Sequence, residues 1–203
     1  MRVFVTGATG NIGSRVVDEL IATGHRVIGL CRSDDKAAAL AARGAEVHRG
    51  SIMDPDGLKA GIERSDGVIH LAFDHDFSRF AQNCENDRRV VTALGSLLAG
   101  SDRPLIVTSG TAIADAVPGR PAREDDPIVG SDVFPRAASE EAAAAVAAAG
   151  VNVSVVRLPQ VHDPVSQGLI TPMIAMHREK GFCAHVGDGH NRWPAAHVLD
   201  VAR

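Results

Sequence analysis

The chain has 203 residues, 45% apolar and 23% charged, which is enough to bury a core and excludes a disordered or collagen-like polymer. Its 21 Lys and Arg against 25 Asp and Glu give a net charge of -4 with no basic block, so the footprint of a nucleic-acid binder is missing. Cys31, Cys84 and Cys183 are widely spaced without a CxxC pair, which argues against a disulfide framework or thiolate metal site and for a reducing cytoplasm; no apolar run reaches the roughly 18 residues of a membrane helix, and the N-terminus is too brief for a signal segment.

Arg2 to Thr6 is a β-branched and aromatic run ending at a glycine cluster, which reads as a buried strand. Ile12, Val16 and Leu20, with Val17 and Ile21 beside them, form a helical stripe that Gly24 would end. A second strand is expected over Arg26 to Cys31, a short helix near Ala37 to Ala42, a strand around Glu46 to His48, a helix opening at Pro55 and a strand over Gly67 to Ala72. Then come a long helix from Asp76 to Leu98, a strand at Pro104 to Thr108 and a loop over residues 116–130. A helix from Pro135 to Ala149 has Asp132 available near its start and Gly150 behind it, and Val151 to Leu158 is a sixth strand. Strands and helices by turns make an α/β fold, a doubly wound parallel sheet with helices on both faces. Residues 1–165 would be the main domain, and 166–203 a small C-terminal extension.

Thr6-Gly7-Ala8-Thr9-Gly10-Asn11-Ile12-Gly13 places glycines every three residues between the first strand and the first helix. There a turn needs positive φ, backbone N–H groups must approach a pyrophosphate, and helix must pack closely on strand. The context predicts a Rossmann-like dinucleotide site formed by Gly7, Thr9, Gly10, Asn11, Ile12 and Gly13. At the end of the second strand, Arg32 would favour the 2′-phosphate of NADP; the alternative is NAD, with Asp34 or Asp35 on the ribose hydroxyl.

With this loop the sequence resembles the short-chain dehydrogenase/reductase superfamily, and within it the extended, NAD-dependent epimerase/dehydratase type. Gly50-Ser51-Ile52-Met53-Asp54 resembles the family's GDLxD turn, His70-Leu71-Ala72-Phe73 its HLAA, Arg157-Leu158-Pro159 its Arg-x-Pro, and Gly187 to Asp200, with Arg192 and His197, its GxGxxxRxxxHVxD segment. The resemblance adds Ser51, Ile52, Leu71, Ala72, Phe73 and Pro159 to the cofactor contacts. It also implies that residues 166–203 begin a substrate-side lobe that usually continues for several tens of residues.

The family chemistry needs a Ser or Thr on the substrate oxygen, a Tyr as acid or base, and a Lys that tunes the Tyr. This sequence has no tyrosine. Matching the helix after the fifth strand to YxxSK puts Arg136 at the Tyr position, Ser139 as retained and Glu140 at the Lys position. Arg136 cannot exchange protons near neutrality, and Glu140 has the wrong sign; an i, i+4 ion pair between them is the structural alternative. In Thr108-Ser109-Gly110-Thr111 a glycine takes the hydroxyl position, leaving Ser109 and Thr111 to orient a carbonyl or simply to shape a turn. His75, between Asp74 and Asp76, is an alternative proton donor; His185, Asp188 and His190 match no metal spacing.

These features point to an oxidoreductase acting on a small carbonyl or hydroxyl compound with a non-standard site of Ser109, Thr111, Arg136 and Glu140, using NADP or NAD. The rivals are a non-catalytic NAD(P)-binding sensor and a sugar-nucleotide epimerase or dehydratase with Arg192 on the diphosphate. The expected partner is a small molecule, with no nucleic acid, membrane or metal, and a homodimer stays open.

Overall fold

A computed structural model describes residues 1–115 and 120–203. The main sheet has six parallel strands in the order β3-β2-β1-β4-β5-β6: β1 (Arg2–Thr6), β2 (Arg26–Cys31), β3 (Glu46–Arg49), β4 (Gly67–His70), β5 (Leu105–Gly110) and β6 (Val153–Leu158). The crossovers are α1 (Asn11–Ala22), α2 (Asp34–Ala42), α3 (Pro55–Glu63), α4 (Phe80–Leu98) and α5 (Ala138–Ala148). Strand order reverses between β1 and β4, and the register Thr6↔His70 brings their carboxyl ends together. Ligands of open α/β sheets bind at such a switch point.

Side chains alternate across β1, so Phe4 enters one core with Ile62, Val91, Leu94 and Val146 from α3, α4 and α5, while Val3 and Val5 enter a second with Val17 and Leu40 from α1 and α2. These opposed cores make the sheet doubly wound.

Several boundaries differ from the sequence pattern, β5 and β6 by one or two residues at their ends. β4 stops at His70, because the N–H groups of Leu71 and Ala72 also turn to the Thr6 hydroxyl, at 3.2 and 3.3 Å. α4 starts at Phe80; Asp76 instead caps a 3₁₀ turn over Phe77–Arg79 by accepting from the Ser78 N–H at 3.1 Å. Asp132 does not cap α5, which grows out of a 3₁₀ turn over Pro135–Ala137 without a side-chain cap. Of the loop expected over residues 116–130, positions 116–119 lie outside the described residues, and Ala114 bridges Ile128.

Beyond β6 the sequence pattern missed a second, two-stranded parallel sheet of β7 (Gln160–His162) and β8 (Ala195–His197), with α6 (Thr171–Lys180) between them and α7 (Val198–Ala202) after. Three-residue strands carry too little periodicity to be read. Among the described residues no helix is long and apolar enough to cross a membrane.

Candidate functional site

The glycines of the β1–α1 loop divide the work. Gly7 has φ +68°, and a Cβ there would lie 2.7 Å from the Ala72 N, so the loop can rest on the end of β4 only as glycine. A Cβ on Gly13 would strike the Gly7 carbonyl. At Gly10 a Cβ would meet only that carbonyl, at 3.2 Å, so its outer side is open. Gly10 is also the N-cap of α1 and provides no side chain to the first-turn N–H groups. Bare donors at the positive end of a helix, with no side chain over them, fit a pyrophosphate. The loop therefore fits a dinucleotide, and Gly7 sets it against Leu71 and Ala72.

The adjacent strand ends bring Arg32 and Ser51 to one edge of this groove, since Cys31 pairs with Arg49 and its carbonyl accepts from the Gly50 N–H at 3.1 Å. Arg32 is exposed and makes no ion pair among the described residues, whereas Asp34 faces Arg49 at 3.0 Å. The Ser51 hydroxyl caps its own turn through the Met53 N–H at 3.2 Å, and Ile52 packs against the core. Pro159 is half-buried between β6 and β7.

Across the switch point lies a buried ring of polar groups. The Thr6 hydroxyl oxygen already accepts from Leu71 and Ala72, so its proton goes to His70 Nδ1, 2.7 Å away. That fixes His70 as the Nε2–H tautomer, donating to Asp87 Oδ1 at 2.9 Å. Asp87 Oδ2 accepts from Ser139 Oγ at 2.5 Å and from Arg136 Nη1 at 3.1 Å. Arg136 Nη2 donates to the Thr108 carbonyl at 2.9 Å, and the Thr108 hydroxyl closes the ring on the His70 carbonyl at 2.9 Å. Burial pushes the Asp87 carboxyl upward, but the His70 hydrogen bond, the Arg136 charge and the Ser139 hydroxyl outweigh it and hold the group below the usual carboxylate range. Arg136 lies 4.5 Å over the Phe73 ring, and its Nε makes no hydrogen bond among the described residues.

The expected ion pair between Arg136 and Glu140 does not form. Arg136 belongs to the 3₁₀ turn, so the two positions do not share an α-helical face. Glu140, 6% exposed, instead accepts from Arg157 Nε at 3.0 Å and Nη2 at 2.9 Å, which raises the Arg157 pKa. Ser109 is buried with a hydroxyl that finds no partner among the described residues, and Thr111 opens a 3₁₀ turn beside it. Burial and then the Arg136 charge lower the His75 pKa, which makes the neutral imidazole its dominant form near neutrality. His185, Asp188 and His190 are exposed, and no three potential metal ligands gather among the described residues.

Asp87 escaped the motif reading, and His70 entered it only as the first residue of the HLAA-like segment, with no role. Their signals were a carboxylate on the apolar stripe of α4 that includes Val90, Val91 and Leu94, and a histidine ending an otherwise apolar strand.

Fold and loop together define a dinucleotide-binding Rossmann protein. The chain belongs to the NAD dependent epimerase/dehydratase family, whose profile it matches over residues 3–203. It is 42% identical over 203 residues to an uncharacterized protein of Schizosaccharomyces pombe, covering 100% of this chain and 68% of that one. It is 32% identical over 142 residues to UDP-glucose 4-epimerase of Mycolicibacterium smegmatis, covering 63% and 45% of the respective chains. Its fold is similar, at TM-score 0.78 and 21% identity over 100% of this chain and 70% of the other, to dTDP-glucose 4,6-dehydratase DesIV of Streptomyces venezuelae, a double mutant solved with NAD bound.

Proposed function

We propose that the protein is an NAD(P)-dependent oxidoreductase of the short-chain dehydrogenase type that reduces an activated small carbonyl compound, prefers NADP(H) and works in the cytoplasm. The observation that carries this reading is Arg136, a permanent cation held by Asp87 and the Thr108 carbonyl at the position that the family resemblance gives to a proton-exchanging tyrosine. The glycine loop and the first turn of α1 would hold the dinucleotide, with Arg32 on a 2′-phosphate. When bound, that cofactor supplies the hydride.

The chain's own residues then have one task, to receive negative charge as it develops on the substrate oxygen. Arg136 Nε is a donor without an acceptor among the described residues, and the Ser109 hydroxyl is a second polar group without a partner among them. Asp87, Ser139 and the Thr108 carbonyl fix the guanidinium in place. Because Arg136 keeps its proton, the proton that completes the alcohol comes from water, which suits carbonyls whose reduction leans little on acid catalysis. Glu140 serves structurally, holding Arg157. The three cysteines, all unpaired, fit a reducing compartment.

A second reading, a dinucleotide-binding sensor without turnover, is favoured by the same ring, since Asp87 neutralises Arg136. NADPH consumption across quinones, aldehydes and ketones separates the two. The enzyme reading expects turnover that falls about 10²- to 10³-fold in Arg136→Met. Tight NADPH binding with no turnover of any carbonyl would establish the sensor.

A further inference from the structure

The sequence holds only six phenylalanines, and four of them meet at one place. Phe73 follows β4, Phe77 and Phe80 open the α4 segment, and Phe134 precedes the turn carrying Arg136. Their rings form a chain, Phe73 to Phe80 at 6.3 Å, Phe80 to Phe77 at 5.7 Å and Phe80 to Phe134 at 6.1 Å, with His75 edge-on to Phe73 at 5.1 Å. This is not core: Phe77 is 55% exposed, and Phe73, Phe80 and Phe134 are only half-buried. Elsewhere the aliphatic interior does without phenylalanine except Phe4.

We infer that this ring cluster receives the organic part of the substrate, and that the substrate is a planar, conjugated aryl carbonyl compound whose oxygen is met by Arg136. The inference rests on the oxidoreductase reading and gives it a substrate class. Tilted phenyl rings present electron-rich faces that attract an electron-poor π system attached to a carbonyl, and a saturated ring of the same size gains only area burial there. Arg136 lies on Phe73 itself, so a donor for the oxygen and a ring for the body stand side by side.

A sugar is poorly served at the same place. Its hydroxyls need convergent polar groups, yet Asp74 and Asp76, in the same loop as Phe73 and Phe77, are turned to Arg79, and Asp76 also accepts from Ser78. Beside the rings both Arg136 and Arg157 are paired with buried carboxylates, so a diphosphate would depend on Arg192, which is exposed and makes no ion pair among the described residues.

The test uses two matched pairs on the full natural chain loaded with NADP. Benzamide and cyclohexanecarboxamide carry the same carbonyl, cannot be reduced by hydride, and differ in the π system, so saturation-transfer NMR and titration read binding alone. Acetophenone and cyclohexyl methyl ketone report turnover. The expected result is an affinity for benzamide about three- to tenfold above that for its saturated partner, the same preference in kcat/KM with NADPH, and loss of most of both preferences in Phe77→Leu and Phe134→Leu, which keep apolar bulk. Phe77 is exposed enough for its variant to fold, which circular dichroism checks. Equal binding of the two amides overturns the inference. So does turnover of small aliphatic aldehydes with no aryl preference, which leaves the oxidoreductase reading standing. Selective benzamide binding with no carbonyl reduced keeps the aryl site and removes the oxidoreductase reading.

Discussion

The two sides of the switch point are built on opposite principles. On the β1 side the site consists of what is missing: Gly7 has no side chain to collide with β4, Gly13 none to collide with Gly7, and Gly10 none over the helix N-terminus. Toward β4 and β5 it consists of side chains in contact, with Thr6 from the end of β1, His70, Asp87, Arg136 and Thr108 closing on one another in a ring. A backbone cradle binds any ligand with the right phosphate geometry, and only a Cβ can spoil it. A side-chain ring can be rebuilt around a new chemistry while the cradle stays as it is. A sequence without tyrosine that still carries Gly7, Gly10 and Gly13 is what that division permits.

The largest expected effect breaks the cradle alone. Gly10→Val puts a branched side chain where nothing but the Gly7 carbonyl stands, so the chain should fold while dinucleotide affinity drops at least a hundredfold. Gly13→Val gives the contrast, because its side chain runs into the Gly7 backbone and should cost stability as well as binding. Calorimetric titration with NADPH and a urea melt on each variant check the pair. Normal binding by Gly10→Val would reduce the loop to a structural turn.

An effect on folding in place of binding, about 3–5 kcal/mol of stability at neutral pH, is expected when the ring is broken by Asp87→Asn, which leaves Arg136 without its counter-charge. The sign of the pH dependence follows from the depressed carboxyl. Stability contributed by a group whose folded pKa lies below its unfolded value is complete above about pH 3.9 and is lost as pH falls through the folded value. Urea midpoints should therefore separate wild type from variant above pH 4 and converge on further acidification. A gap that persists unchanged into acid would mean that the carboxylate charge is not what holds the ring.

The same division decides how much could be read from sequence. The cradle was legible because it is local: eight consecutive residues fix strand, loop and helix start, and each glycine has a steric reason. The six main strands were legible because buried parallel strands are dense in β-branched residues, and only their ends drifted, as at His70 where the ladder gives way to the Thr6 hydroxyl. The ring joins residues from five elements, and no spacing along the chain connects Thr6 to Asp87 or Glu140 to Arg157. Arg136 and Glu140 were found by alignment to a motif but given the wrong partners, since four-residue spacing was read as a helical face where a 3₁₀ turn intervenes. β7 and β8 pair over too few residues to leave a pattern.

The mildest prediction sharpens the cradle by asking what lies at its far end. β2 and β3 end side by side, and past them Arg32 is exposed without an ion pair among the described residues, while Asp34, the nearer acidic candidate for a ribose hydroxyl, faces Arg49. A guanidinium can make charge-assisted bonds to a 2′-phosphate worth roughly 1.5 to 3 kcal/mol, and a ribose hydroxyl offers it no comparable acceptor. Arg32→Ala should thus weaken NADP(H) about ten- to a hundredfold and leave NAD(H) nearly unchanged, so the preference between the cofactors collapses while the loop still binds both. Asp34→Asn is the control, because it removes the charge facing Arg49 and should not improve NAD(H) relative to NADP(H) beyond about twofold. If Arg32→Ala leaves the ratio of the two affinities untouched, or Asp34→Asn abolishes NAD(H) binding, the carboxylate holds the ribose after all and the groove belongs to NAD.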